Sequence, residues 1–250
     1  MIFDVDGTLS ETERDGHRVA FNQAFQAIGL DWHWDVADYG QLLAVSGGKE
    51  RIHHYIQTHE SEMPAVSDRK GFVQDIHALK TQRYIALLKA GEIGLRPGVE
   101  RVLREARQAG VRLAIATTTT AENVRVLLEC NLGPDSPEWF DEIGAGDVVE
   151  RKKPAPDIYR YVCARLGVEP RGCLAIEDSR NGLRSARAAG LPVLVTPGCY
   201  TRGEDFTGAL AVVDGFGTPD AASTVLSGPP LRGPVVDLAF LRELWASVRA

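Results

Sequence analysis

Residues 1–8 read Met1-Ile2-Phe3-Asp4-Val5-Asp6-Gly7-Thr8, and the fold turns on how that stretch is read. A short apolar run that meets two aspartates and a glycine is a buried strand ending in a polar turn. Outward from it, residues 10–94 show no strand pattern, only helical periodicity. His17, Phe21, Ala24, Phe25 and Ile28 share one helix face before Gly29, and Phe72, Ile76, Leu79 and Leu87 mark a longer helix that stops at Gly91. Beyond that block, apolar strands and helices alternate. Pro97-Gly98 opens a helix to about Ala109 with Gly110 as its stop, and strands are expected over 111–116, 141–145, 173–176 and 191–195. Helices are expected over 121–130, 157–166, 181–189 and 237–248, and the Gly/Pro-rich residues 227–234 read as a linker. Such alternation calls for a parallel α/β sheet. The predicted class is therefore α/β, with a core of residues 1–9 and 95–250 and an all-helical domain, 10–94, inserted after the first strand.

Composition narrows the function classes. A chain of 250 residues that is 44% hydrophobic and 25% charged has ordinary globular usage and excludes disorder. With 28 Lys+Arg against 34 Asp+Glu, the net charge of −6 offers no broad cationic surface for nucleic acid. The longest apolar runs, such as 191–195, are far shorter than the roughly 18 to 20 residues of a bilayer span. Asp4 and Asp6 interrupt the first apolar residues, unlike a secretory signal, so a cytoplasmic protein acting as a monomer is expected. Cys130, Cys163, Cys173 and Cys199 are scattered without a C-x-x-C pair and read as buried, reduced thiols.

The polar residues that remain fall just after strands. Asp4 and Asp6 follow 1–3, Thr117 and Thr118 follow 113–116, and Glu177-Asp178 follow 173–176. Ligands of open α/β sheets bind beyond the carboxyl ends of the strands, so these groups are expected to converge. Gathered carboxylates repel unless protonated or neutralised, and hard oxygen ligands without clustered His or Cys favour Mg²⁺. Such a site invites phosphate. Thr117 offers a hydroxyl beside helix-start N–H groups, Lys153 a point charge, Asp4 a nucleophile and Asp6 a general acid/base. The basic trio Arg151-Lys152-Lys153 otherwise reads as a solvated surface, and Lys153 is chosen because it directly precedes Pro154.

FDVDGT at 3–8, Thr117 after LAIA, KKPAPD at 152–157 and AIEDS at 175–179 resemble the four ordered motifs of the haloacid dehalogenase (HAD) superfamily phosphatases. The resemblance spans nearly the whole chain. It implies a Rossmann-like core with a helical cap, Asp4 as nucleophile, Asp6 as acid/base, and Thr117 and Lys153 on the transferring phosphoryl group. It also implies Mg²⁺ on the Asp4 side chain, the Asp6 carbonyl and Asp178, with Glu177 in or near that shell. More narrowly, ETE at 11–13, SGGKER at 46–51, GDVVERKKPAPD at 146–157 and GPVVDLAFL at 233–241 look like the CbbY group of sugar bisphosphate phosphatases. That group is associated with carbon fixation and removes the 1-phosphate of xylulose-1,5-bisphosphate. Only three residues precede Asp4, so the first strand is short against the family pattern.

The helical insert is expected to hold the rest of a phosphorylated sugar. Lys49 and Arg51 are the basic residues suited to a second phosphate. Lys80 joins them because related mutases place a cap lysine on the corresponding long helix, and Glu13 and Tyr39 suit sugar hydroxyls. His17 shares the Phe21 face and either packs there or orients Asp6, whereas His53, His54 and His59 lack a metal spacing. An EF-hand is excluded because Gly7 sits fourth, not sixth, from Asp4, and a dinucleotide fingerprint because Val149 stands where the third glycine belongs. A β-phosphoglucomutase-like phosphomutase would use the same two aspartates. A non-catalytic regulatory protein on this scaffold would have lost one of the reactive groups, and none is missing.

Overall fold

The computed structural model describes residues 1–59 and 66–248. The chain divides into two compact units, one of Thr12–Ile93 and one of Met1–Glu11 with Gly94–Ala250.

The first of these is helical. A π-helical turn, Glu13–His17, runs into α1 (Arg18–Ala27), followed by α2 (Val36–Leu42), α3 (Gly48–Thr58) and α4 (Arg69–Lys89). Local chemistry sets the helix starts: the Asp35 carboxylate accepts the Asp38 N–H at the head of α2, and Asp68 accepts the Gly71 N–H at the head of α4. The core is rich in aromatic rings. Phe21, Phe25 and Trp34 meet with ring centroids 4.8–6.0 Å apart, and Tyr55 and Trp32 close edge-on against Trp34 and Phe25. Edge-to-face pairs of this kind add about 0.5–1.5 kcal/mol each beyond burial. Asn22 fixes the Trp34 backbone from both sides, donating to its carbonyl and accepting its N–H.

The second unit is a sheet covered by helices. Its strands are β1 (Ile2–Phe3), β2 (Ala114–Ala116), β3 (Glu142–Gly144), β4 (Ala175–Glu177), β5 (Val193–Val195), β6 (Ala211–Val213) and β7 (Val225–Ser227). Their order is β3-β2-β1-β4-β5-β6-β7, parallel throughout except for the β6–β7 pair. This is the expected Rossmann-type α/β core. The helices are α5 (Val99–Gln108), α6 (Ala121–Leu132), α7 (Asp157–Leu166), α8 (Arg180–Ala188) and α9 (Leu238–Ala246). Every residue of β1, β2, β4 and β5 is buried, which a strand covered on both faces requires. Trp139 lies under the guanidinium groups of Arg104 and Arg107, and Trp245 donates its indole N–H to the Arg171 carbonyl.

The sequence expectations need correcting in places. Strands expected over 111–116 and 191–195 shorten to Ala114–Ala116 and Val193–Val195, the residues that find ladder partners on a neighbouring strand. The expected linker begins inside β7, which pairs antiparallel on β6. None of the four cysteines is in a disulfide, but Cys130 and Cys199 are exposed; only Cys163 and Cys173 are buried. Among the described residues no helix is long and apolar enough to cross a membrane.

Candidate active site

The strand order reverses direction between β1 and β4, the place where an open α/β sheet leaves a crevice at its carboxyl ends. Asp4 directly follows β1 and is tied to β4 by its own N–H on the Ile176 carbonyl (3.0 Å). The chain then folds over itself: the N–H groups of Thr8, Leu9 and Ser10 all reach the Val5 carbonyl, and the Gly7 N–H donates to the Ser10 carbonyl. Gly7 takes φ +86°, and a Cβ there would overlap the Asp178 carboxylate, so glycine is required on two counts. Asp6 is half-buried in this turn.

Lys153 reaches the same spot from the segment that leads into α7. Its Nζ donates to Asp4 Oδ1 (2.6 Å), Glu177 Oε1 (2.7 Å) and the Ala116 carbonyl (2.8 Å), which uses all three N–H groups. Glu177 Oε1 also accepts the hydroxyl of Tyr159, a buried residue of α7 that sequence reasoning missed. An aromatic in the first turn of an amphipathic helix reads as core, and nothing in its spacing from Lys153 announces a polar role. Thr117 is buried at the end of β2, and its Oγ1 accepts the Thr119 N–H. Thr118 is half-buried next to it, and Thr120 caps α6 through the Asn123 N–H.

Asp4, Glu177 and Asp178 each bring a carboxylate oxygen into a group whose members lie within 4.8 Å of one another, all three buried. Burial, reinforced by the Glu177 and Asp6 charges and opposed by Lys153, pushes the Asp4 carboxyl up to about 7. Burial and the charges of Asp4 and Glu177 lift Asp178 well above the carboxylate range. Burial works against the Lys153 ammonium, but Asp4 and Glu177 outweigh it and hold the charge on. Ionising all three carboxylates against one ammonium would leave two negative charges in excess in a desolvated site, the deficit a divalent cation cancels. The all-oxygen donor set fits Mg²⁺.

The helical unit gathers its own cluster. Tyr39 donates its hydroxyl to Glu13 Oε2 (2.5 Å) and accepts Arg51 Nη1 (2.7 Å), while the guanidinium lies over the Tyr39 ring at 4.9 Å. Arg51 is buried rather than presented on a helix surface, and it also donates to the Leu42 and Val45 carbonyls. Lys80 is buried on α4, 2.8 Å from His17 Nδ1 and over the rings of Phe21 and Tyr84. The His17 ring is stacked on Tyr84 with centroids 4.0 Å apart. Lys49 is half-buried in the first turn of α3.

A sequence profile for haloacid dehalogenase-like hydrolases matches residues 1–190. The chain belongs to that family. It is 48% identical over 235 residues to protein CbbY of Cereibacter sphaeroides, covering 94% of this chain and 98% of that one. It is 49% identical over 219 residues to the plasmid-encoded CbbY of Cupriavidus necator, covering 88% and 86%. Among solved structures, CbbY from Rhodobacter sphaeroides in complex with phosphate superposes with a TM-score of 0.79 at 48% identity, over 86% of this chain and 92% of that one. A mutant of the same CbbY in complex with xylulose-(1,5)bisphosphate matches equally well. As a family member it is an enzyme of the phosphatase type, with the CbbY proteins as relatives over nearly its full length.

Proposed function

We propose that this hydrolase removes a phosphate from xylulose-1,5-bisphosphate, giving xylulose 5-phosphate, in an Mg²⁺-dependent reaction through an aspartyl phosphate. One observation carries the chemistry: the buried Lys153 ammonium bridging Asp4 and Glu177 beside Asp178, at the carboxyl ends of β1 and β4. The choice of sugar rests on likeness to the CbbY complex with xylulose-(1,5)bisphosphate.

In this reading the Asp4 carboxylate attacks phosphorus as the ester P–O bond breaks, and Asp6 gives its proton to the departing sugar oxygen. A water then attacks the phosphoryl group on Asp4 while Asp6 takes its proton, which releases inorganic phosphate and regenerates both aspartates. Lys153 pairs with the nucleophile and, with the Thr117 hydroxyl, steadies the phosphoryl oxygens; Thr118 adds a polar contact beside it. Asp4, the Asp6 carbonyl and Asp178, with Glu177 near that shell, would hold Mg²⁺, which would supply the positive charge that lets a phosphate dianion approach these carboxylates. Lys49, Arg51 and Lys80 are assigned to the second phosphate, and Glu13 and Tyr39 to sugar hydroxyls.

The test is phosphate release over a panel of phosphorylated sugars, ketopentose bisphosphates included, with and without Mg²⁺ and with Asp4→Asn as control. Release that is greatest from xylulose-1,5-bisphosphate and absent in the variant is expected. An isomerised sugar monophosphate formed without free phosphate would overturn the phosphatase reading in favour of a mutase.

A further inference from the structure

Arg96 is a buried cation two residues beyond Gly94, where the chain re-enters the sheet unit. Its backbone N–H binds the Leu9 carbonyl (2.8 Å). Its side chain gathers backbone carbonyls from three separate segments. Nη1 donates to the Gly7 carbonyl, the Thr196 carbonyl (2.6 Å) and Thr196 Oγ1 (3.0 Å). Nη2 donates to the carbonyls of Pro197 (3.0 Å) and Asp214 (3.2 Å), and Nε lies 3.5 Å from Glu11 Oε1. Carbonyl dipoles converging this way repel one another, and the guanidinium holds them in place.

Two of these segments wall in one carboxylate. A Cβ on Gly7 would overlap Asp178 Oδ2, and a Cβ on Gly198, next to Pro197, would stand 3.5 Å from the same oxygen and 3.3 Å from Glu11 Oε2. The Asp178 side chain thus lies between two backbone stretches, and the Gly7 stretch approaches it so closely only because it carries a glycine there. Both stretches hang on the same guanidinium. The hydrogen bonds of the Arg96 side chain go to these segments rather than to Asp178, so beyond the pull of its charge on that carboxylate the arginine acts through the main chain.

We propose that Arg96 is a positioning residue for Asp178: by tying the Gly7 turn to the 196–198 segment it fixes the slot in which that carboxylate meets Mg²⁺. The inference rests on the reading of Asp178 as an Mg²⁺ ligand. The requirement is for a planar fork, because the acceptors lie on different sides of the group, and the point charge of a lysine does not reach them together.

The experiment is titration calorimetry of Mg²⁺ on the full chain without substrate, for wild type, Arg96→Lys and Arg96→Gln, together with kcat and KM for the phosphate ester at saturating Mg²⁺. Loss of an outer partner of a metal ligand costs about 10- to 100-fold in affinity. Arg96→Lys is expected to raise the Mg²⁺ Kd by at least about tenfold while saturating Mg²⁺ restores kcat to within about threefold. Arg96→Gln keeps a planar donor but not the two-pronged reach, and it is expected to raise the Kd severalfold; it decides alone if Arg96→Lys does not fold. Wild-type Mg²⁺ affinity in the folded variants, or a kcat deficit that Mg²⁺ does not restore, overturns the role of Arg96. A wild-type chain that binds no Mg²⁺ overturns the metal reading itself.

Discussion

Replacing Asp4 with asparagine in the metal-free protein isolates the electrostatic cost of the active site. The Asp4 carboxyl sits at about 7 in the folded chain against an ordinary 3.8, chiefly because it is buried, with Glu177 and Asp6 adding to the rise. Where the folded pKa is the higher one, the native state keeps a proton that the unfolded chain has already lost. The associated stability is present in full below about pH 4 and drains away as pH rises through about 7. At about 1.36 kcal/mol for each tenfold change in proton affinity, that difference makes ~4 kcal/mol. The asparagine side chain is isosteric and does not titrate, and Lys153 keeps Glu177 as its anion. The measurement is urea unfolding in chelator from about pH 4 to about pH 8 for both proteins. The stability of the variant relative to wild type should climb by ~4 kcal/mol across that range, and most of the difference should vanish when Mg²⁺ is added. Parallel pH profiles would refute the reasoning, and substantial turnover by the variant would remove Asp4 as nucleophile.

Tyr159→Phe deletes a buried hydroxyl bonded to Glu177, so stability should fall by about 1.5–3 kcal/mol with the fold intact, as read by urea midpoints; a loss under about 0.5 kcal/mol would show the bond to be idle. Gly7→Ala places a methyl against Asp178 on a left-handed backbone, and a soluble, folded variant with at least about 100-fold lower kcat/KM is expected from steady-state assays. Mg²⁺ should raise Tm more at pH 8 than at pH 5, since the Asp4 and Asp178 carboxyls must shed their protons to bind it; differential scanning fluorimetry reads this directly. Lys49→Ala and Lys80→Ala should raise KM for a bisphosphate more than for a monophosphate, and equal effects would remove both from the second-phosphate site.

The reactive groups are legible because each follows a strand: a buried apolar run stopped by Asp4, by Thr117 or by Glu177-Asp178 marks its own end in the sequence, and the α/β rule brings those ends together. The partners that hold them are not. Tyr159 looks like any core aromatic until Glu177 is seen against it, and Arg96 beside Pro97-Gly98 has the composition of a solvated loop. Arg51 has the sequence setting of a charge on a helix surface, yet its acceptors include Tyr39 and two main-chain carbonyls, contacts with no periodic trace. β7 escapes for a related reason: it is mostly exposed, so it shows neither the unbroken apolar run nor the alternation that betrays a strand, whereas β6 lies in the apolar run 209–213 and is legible.

The four tryptophans divide evenly, Trp32 and Trp34 in the ring-packed helical unit and Trp139 and Trp245 in the other. Each half of the molecule therefore carries its own intrinsic fluorophores. Exchanging one couple for phenylalanine leaves emission from a single half, so melting of the helices and melting of the sheet become separately visible without any attached dye.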